Sequence, residues 1–570
     1  MENVSAHWFR HGLRLHDNPA LLEGFSRASK VFAFFTFDGE SAGTGWIGYN
    51  RMKFICESLA DLDRSLRSRG GRLWIFQKDV TTLLSAFKSR FSLTNLSFER
   101  DSEAVWQNRD CAVRQHCASS GIDLVEKVSL TLWDPDQILD ANGGLPPLTM
   151  VEFLSIAKKR GDPERPVDSE NVDYSFFDLE TAFANDKGML DELCLFPGIP
   201  TPEDFGILPE PGQEIRLYIG GETRADELLI KRLQASSVVW TGMIDFPDSG
   251  IFFTVEKNAM QMQITQPNHA FPNLIAPPMS LSPYLRYGCL SIRKFYWLLL
   301  DMRRVGLSTT TCTSALGLVM QLMWREYFYC MSTRNPGFGR IEGNQICLPI
   351  PWSRDESSLN AWKLGVTGFP FIDAAMRQVR REGWIHHVAR NACAQFLTRG
   401  GLWISWEEGL RHFLFYLLDG DWSVCSGNWL WLSSSSFEKM LDCSECFSPS
   451  MFGRRLDPAG DYVRKYVPEL SGMPTEYLHE PWLAPLEVQK KAGCILGEHY
   501  PKPMIDFVKR SKRNARRMAN FRRQLGCAIP RHCAPSSEEE AREFMWSTAA
   551  TSVFGHHSHS EVCRGTEVME

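Results

Sequence analysis

Trp352, Trp403, Trp406 and Trp429 are the side chains of this 570-residue sequence best suited to one-electron chemistry. An indole ring fills a core, and it can also give up an electron. Trp403 and Trp406 stand one helical turn apart. The stretch 365–431 gathers further specialists around them. His387 and Asn391 share a helix face at i, i+4, and Arg390 lies beside that face. An acidic turn follows, Asp419-Gly420-Asp421, and Arg390 could pair with Asp419. A lone helical histidine is commonly a satisfied core residue, and single tryptophans are commonly packing. Together these residues describe a site that buries a redox ring and carries electrons away from it.

Two segments upstream suit a cofactor's polar parts. Ser280, Leu281 and Ser282 precede a helix that begins at Ser282-Pro283. Hydroxyls and free N–H groups at a helix start suit a phosphate, although Ser-Pro before a helix is more often an ordinary cap. Gln321 and Arg325 share one face of an apolar helix, where a buried Gln and Arg need partners. An internal salt bridge would serve Arg325 as well.

The elements that must position these residues follow from the patterning. Strand-like runs at 30–37, 72–76 and 95–99 alternate with helical periodicity at 49–67 in the first 130 residues. This predicts a Rossmann-like α/β domain with a parallel sheet over 1–130. No GxGxxG follows the first strand, so the usual dinucleotide fingerprint is absent. Residues 131–212 are rich in Pro and Gly and read as an interdomain connector. Helical periodicity dominates 213–525, which predicts a second, all-α domain, and residues 526–570 read as a tail. The segment 235–254 interrupts the helical pattern as an unexpected insertion.

Composition bounds the partners. The formal charge is −6 and the sequence pI about 6.2, which gives no bulk attraction to nucleic acid. The 16 cysteines form no regular framework, and Cys443 and Cys446 make the only CxxC, so no metal site is expected. No apolar leader or membrane-length run is present in the sequence, which predicts a soluble, intracellular chain with no membrane partner.

In order along the chain stand WFRHGLRLHDNPAL (8–21), the Ser280–Ser282 loop, Trp324-Arg325-Glu326, the Gly365–Arg377 motif, Gly383-Trp384-x-His386 and Asp419-Gly420-Asp421. This series resembles the cryptochrome/photolyase family across nearly the whole chain. The resemblance implies FAD bound in a helical domain. Ser280, Leu281 and Ser282 would approach its phosphates, and Gln321 and Arg325 would line the site. His387 would sit at the floor of the groove, Arg390 and Asp419 would pair beside the ring, and Gly420 and Asp421 would contact it. Trp429, Trp406, Trp352 and Trp403 fall where the family transfers electrons, with Trp403 outermost and near the surface.

Three departures point to the insect-type, light-sensing branch. Cys425 stands at the position facing flavin N5, where a neutral thiol is a poor proton donor. Asn391 replaces the second histidine of (6-4) repair enzymes. The tail carries a short amphipathic segment, 538–546, whose Phe544 and Trp546 would plug the groove. The resemblance therefore implies a blue-light photoreceptor without catalytic residues. Its tail would be released by light, and its partners would be clock proteins such as Timeless and ubiquitin-ligase components. A DNA photolyase and a light-independent transcriptional repressor are the rivals; DNA binding is not expected. The basic run 509–517 reads as a nuclear-import signal or a solvated helix face, and the expected localisation is nucleus and cytoplasm.

Overall fold

The computed structural model describes residues 3–236, 274–275, 280–436 and 448–527, apart from 148, 170–171, 173, 185–186, 214–217 and 305–308. Phe544, Trp546 and the 538–546 segment lie outside the described residues, as do 237–254 of the insertion and Cys443 and Cys446.

Five strands, β1 (Val4–Trp8), β2 (Lys30–Thr36), β3 (Leu73–Phe76), β4 (Asn95–Glu99) and β5 (Asp123–Lys127), make one sheet in the order β3-β2-β1-β4-β5. Every pairing is parallel. β2 is an unbroken apolar run because both of its faces are covered. Helices follow from Glu222–Ser236 to Phe507–Cys527 with no strand among the described residues. The connector departs from the expected loop. It carries helices at Pro135–Ala141 and Met150–Arg160, each started by a side-chain cap from Asp134 or Thr149. Leu139 and Phe153 from these helices are buried in the main core. The prolines that suggested loop act in part as helix starters.

The 8–21 motif is where the sheet meets the helical half. The N–H groups of Gly12 and Leu13 both donate to the Tyr287 carbonyl, at 2.9 and 3.0 Å. Gly288 has φ +63°, and a Cβ there would meet Gly12 Cα at 2.5 Å, so neither position has room for a side chain. Asn18 caps the Pro19–Arg27 helix through a 3.0 Å bond from Leu21 N. Arg14 is buried against Glu99 at 2.7 Å. One core runs continuously from the sheet into the helical half.

Glu222 clamps the same junction. Its carboxylate accepts from Leu15 N at 2.8 Å and His16 N at 3.1 Å, and it bonds the His16 ring. Burial alone would raise its pKa, but His16 and the two N–H groups bring it down to about 2. The folded value lies below the unfolded one. Its stabilisation is therefore complete above the ordinary carboxylate range and is lost as pH falls toward 2. The shift corresponds to about 3 kcal/mol. Glu222→Gln should lower stability at neutral pH by up to this amount and flatten the acid limb between about pH 4.5 and 2. Urea denaturation across that range measures both effects.

Candidate functional site

The Gly365–Arg377 motif works as a brace. Gly365 closes the Glu356–Leu364 helix in the left-handed conformation. Buried Asp373 then accepts from Thr367 N at 2.8 Å, Thr367 Oγ1 at 2.6 Å, Gly368 N at 3.0 Å and Tyr500 Oη at 2.5 Å. This fixes the Pro370–Glu382 helix, against which the His387–Leu397 helix packs. The His386 ring accepts from Val388 N and starts the latter helix. Arg390 is thereby aimed at the acidic turn.

Arg390 Nη2 donates to Asp419 Oδ2 at 2.9 Å, and Arg390 Nε donates to the Ile385 carbonyl at 3.0 Å. Ser282 Oγ donates to the same Asp419 oxygen at 2.6 Å and meets Ser280 Oγ at 2.8 Å. One knot therefore joins four of the predicted positions. Leu281, at the N-cap of the helix Ser282–Arg286, gives no side-chain cap, and Ser280 Oγ accepts from Ser282 N at 3.3 Å, so the serines serve the helix start as well as the knot. Leu281 is buried behind them. Gly420 admits Arg51: its carbonyl accepts from Arg51 Nη2 at 3.2 Å, and a Cβ would press on that guanidinium at 2.9 Å.

Cys425 lies one turn along the Trp422–Leu432 helix and is 7% exposed. Burial pushes its thiol up to about 12, with Asp419 adding and Arg390 opposing. The thiol keeps its proton at neutral pH. His387 stands exposed at the first position of its helix, with Nε2 3.4 Å from Asn391 Nδ2.

Other expected ligands are committed elsewhere. Asp421 caps its own helix through Val424 N at 2.9 Å, and its second oxygen takes the Tyr329 hydroxyl at 2.6 Å. Burial and then Glu103 raise its pKa, while Arg286 opposes them. Arg325 pairs with Glu326 at 3.1 Å and lies 4.5 Å over the Tyr329 ring. Glu326 in turn accepts from Leu132 N at 2.7 Å. Trp324-Arg325-Glu326 thus ties the helical half to the connector. Gln321, expected to be buried, is exposed; it precedes Arg325 by one turn and lies farther from that anchor.

Trp429 is 3% exposed and sits on Gly409, where a Cβ would lie 2.1 Å from its Cη2. Gly409 belongs to the Trp406–Tyr416 helix, which buried Trp406 begins. Trp352 and Trp403 touch, with ring centroids 4.9 Å apart. Trp403 is only 1% exposed, so it is not a surface residue. Arg517 of the last helix covers its ring at 4.5 Å. Trp352 is the more exposed of the pair. Sequence reasoning missed Tyr218, whose ring lies tilted against Trp384 with centroids 6.2 Å apart and which feels both Asp419 and Arg390. It also missed Trp362, fully buried, 6.3 Å from Trp429. The Trp362 signal was available as an apolar i, i+3 pair with Leu359.

The knot is incomplete by itself. Among the described residues, Asp419 Oδ1 is buried without a hydrogen-bond partner. Such an atom costs stability unless a ligand supplies the missing group. A polar ring system bearing N–H and O–H groups fits that demand. Among the described residues no cluster of three or more His, Cys, Asp or Glu could hold a metal, and no helix is long and apolar enough to cross a membrane.

Fold and site together define a photolyase-type flavoprotein. The family model "FAD binding domain of DNA photolyase" matches residues 318–520, and "DNA photolyase" matches 5–170. The chain belongs to the cryptochrome/photolyase family, and its cofactor is FAD. It is 48% identical to Cryptochrome-1 of Anopheles gambiae over 554 residues, covering 95% of this chain and 97% of that one. Identity to Cryptochrome-1 of Drosophila melanogaster is 45% with the same coverage. A bacterial class III photolyase structure from Agrobacterium tumefaciens superposes with a TM-score of 0.73 at 25% identity, covering 91% of this chain and 98% of that one.

Proposed function

We propose that this chain is a blue-light photoreceptor that signals to the circadian clock, not a repair enzyme. The observation that carries the reading is the Trp422–Leu432 helix. It sets Asp421 at its cap, Cys425 one turn on and Trp429 one turn further, so a buried indole follows directly behind the site. FAD supplies blue-light absorption and, once excited, a strong one-electron acceptor. Trp429 gives the electron. The hole passes to Trp406 and then to the contacting pair Trp352 and Trp403. Cys425 holds its proton and would be a poor proton donor to bound flavin. Arg390 steadies the added negative charge. His387 faces Asn391 instead of a second histidine, which deprives repair chemistry of an acid/base pair.

The altered field near Arg390, Asp419 and His387 weakens docking of the 538–546 segment, whose Phe544 and Trp546 cover the groove in the dark. The shift is limited to the differential affinity of the tail for the two states. The freed surface recruits clock proteins such as Timeless and ubiquitin-ligase components, in nucleus and cytoplasm. Limited proteolysis of the full chain tests this. Illumination should speed cleavage within 526–570 several-fold. Equal cleavage in dark and light would refute tail release. Repair of ultraviolet-damaged DNA by the tail-deleted protein would favour the photolyase reading instead.

A further inference from the structure

The Trp406–Tyr416 helix has two ends, and Trp429 lies across its middle at Gly409. One end leads to Trp406. The other leads along a second row of rings. Trp362 is edge-on to Trp429 at 6.3 Å, His412 is 5.5 Å from Trp362, and Tyr416 is 4.9 Å from His412. Phe413 stacks on Trp362 at 6.0 Å and touches Trp429 at 5.2 Å, sealing the row. The row ends in a phenol with a base in place. Tyr416 Oη donates to Glu210 Oε1 at 2.5 Å, and Glu210 is held from its other oxygen by Arg380 at 2.6 Å. Beyond Tyr416 the next ring is Phe415, which does not oxidise readily.

The outer tryptophan pair lacks such an exit. The Trp403 indole N–H donates to the Pro351 carbonyl at 3.0 Å, and a carbonyl does not take the proton away. The Arg517 cation over Trp403 opposes a second positive charge on that ring.

We propose that Tyr416, with Glu210 as its proton acceptor, is a second terminal electron donor, reached from Trp429 through Trp362. The proposal rests on the photoreduction reading above. Trp429 would give one electron to bound, light-excited FAD. Trp429 regains an electron from Trp362, and Trp362 regains one from Tyr416. As Tyr416 loses its electron, its O–H bond breaks and the proton forms an O–H bond on Glu210. Both indoles end as they began, and Tyr416 ends as a neutral radical. Burial followed by the Glu210 contact pushes the Tyr416 phenol up to about 12, so it starts protonated. Proton transfer makes the hole hard to return, because refilling it requires Glu210 to give the proton back.

Electron paramagnetic resonance of the full-length, FAD-loaded protein after blue light tests this, with ring-deuterated tyrosine to identify the carrier. A tyrosyl signal should appear in the wild type and persist in W352F. It should be lost in Y416F and E210Q, and also in W362F, where Tyr416 is intact but cut off. Y416F preserves the ring and its packing, so loss of fold does not blur the result. Peptide mass spectrometry after long illumination should find oxidation products at Tyr416 in the wild type and not in W362F. Tryptophan radicals without a tyrosyl signal, or a tyrosyl signal unchanged in Y416F, would overturn the proposal while leaving photoreduction standing. Absence of both radicals overturns photoreduction itself.

Discussion

Trp429→Phe abolishes light-driven reduction of the bound cofactor, while the dark absorption spectrum and cofactor content stay close to wild type. The expectation follows from where the ring sits. Trp429 is buried one turn beyond Cys425 and lies against Gly409, Phe413 and Trp362. Every outward route described above begins at this ring. Phenylalanine keeps most of the packing but does not surrender an electron at an accessible potential. The Asp419–Arg390–Ser282 knot is built from other elements and stays intact. Some stability is lost because a smaller ring leaves space in a close-packed core, about 1–2 kcal/mol. Flavin absorbance before and after illumination, with thermal unfolding beside it, separates the two effects. Trp406→Phe should be milder if the Trp362 branch also conducts. A Trp429→Phe protein that still bleaches normally would remove this helix from the electron path.

The legible parts of the sequence were those with strong local causes. The β2 and β4 runs and the Tyr49–Arg67 helix could be placed from apolar periodicity because buried elements state their period plainly. β1 and β5 could not be placed that way. Val4–Trp8 is half polar, and Asp123–Lys127 is an edge strand whose charged ends suit solvent. The first connector helix was hidden because its proline, Pro135, sits at the helix start. The Arg390–Asp419 pair was suggested by charge alone. The engagement of Asp421 with Tyr329, and of Arg325 with Glu326, was hidden, because both depend on partners brought in from distant segments. Glu103 is the clearest case. It stands 320 residues from Ser423, whose N–H it accepts at 3.0 Å, and also pairs with Arg286 at 3.0 Å. No local pattern marks such a residue. The burial of Trp403 was equally invisible, since it depends on Arg517, contributed by the last helix.

Asp419→Ala should cost stability and cofactor together, and a second variant shows which of the two the pair serves. The single change leaves Arg390 without its counter-charge and Ser282 without its acceptor in a mostly buried site. Removing one partner of a buried pair typically costs 3–5 kcal/mol, and the partial exposure of Arg390 places this case at about 3 kcal/mol. High salt should not restore it, because a pair shielded from solvent is poorly screened. Replacing both partners by apolar residues of similar size, D419L with R390M, should recover much of the stability, since no unpaired charge remains. It should not recover FAD. The double variant lacks the buried carboxylate oxygen that the proposed site would offer to the cofactor, and the cation that would steady added negative charge there. Thermal unfolding of protein stripped of flavin measures the first quantity, and flavin content after gel filtration measures the second. A double variant that refolds well and leaves the column fully yellow would reduce the pair to scaffolding. The positive charge at Arg390 would then have no part in holding the cofactor.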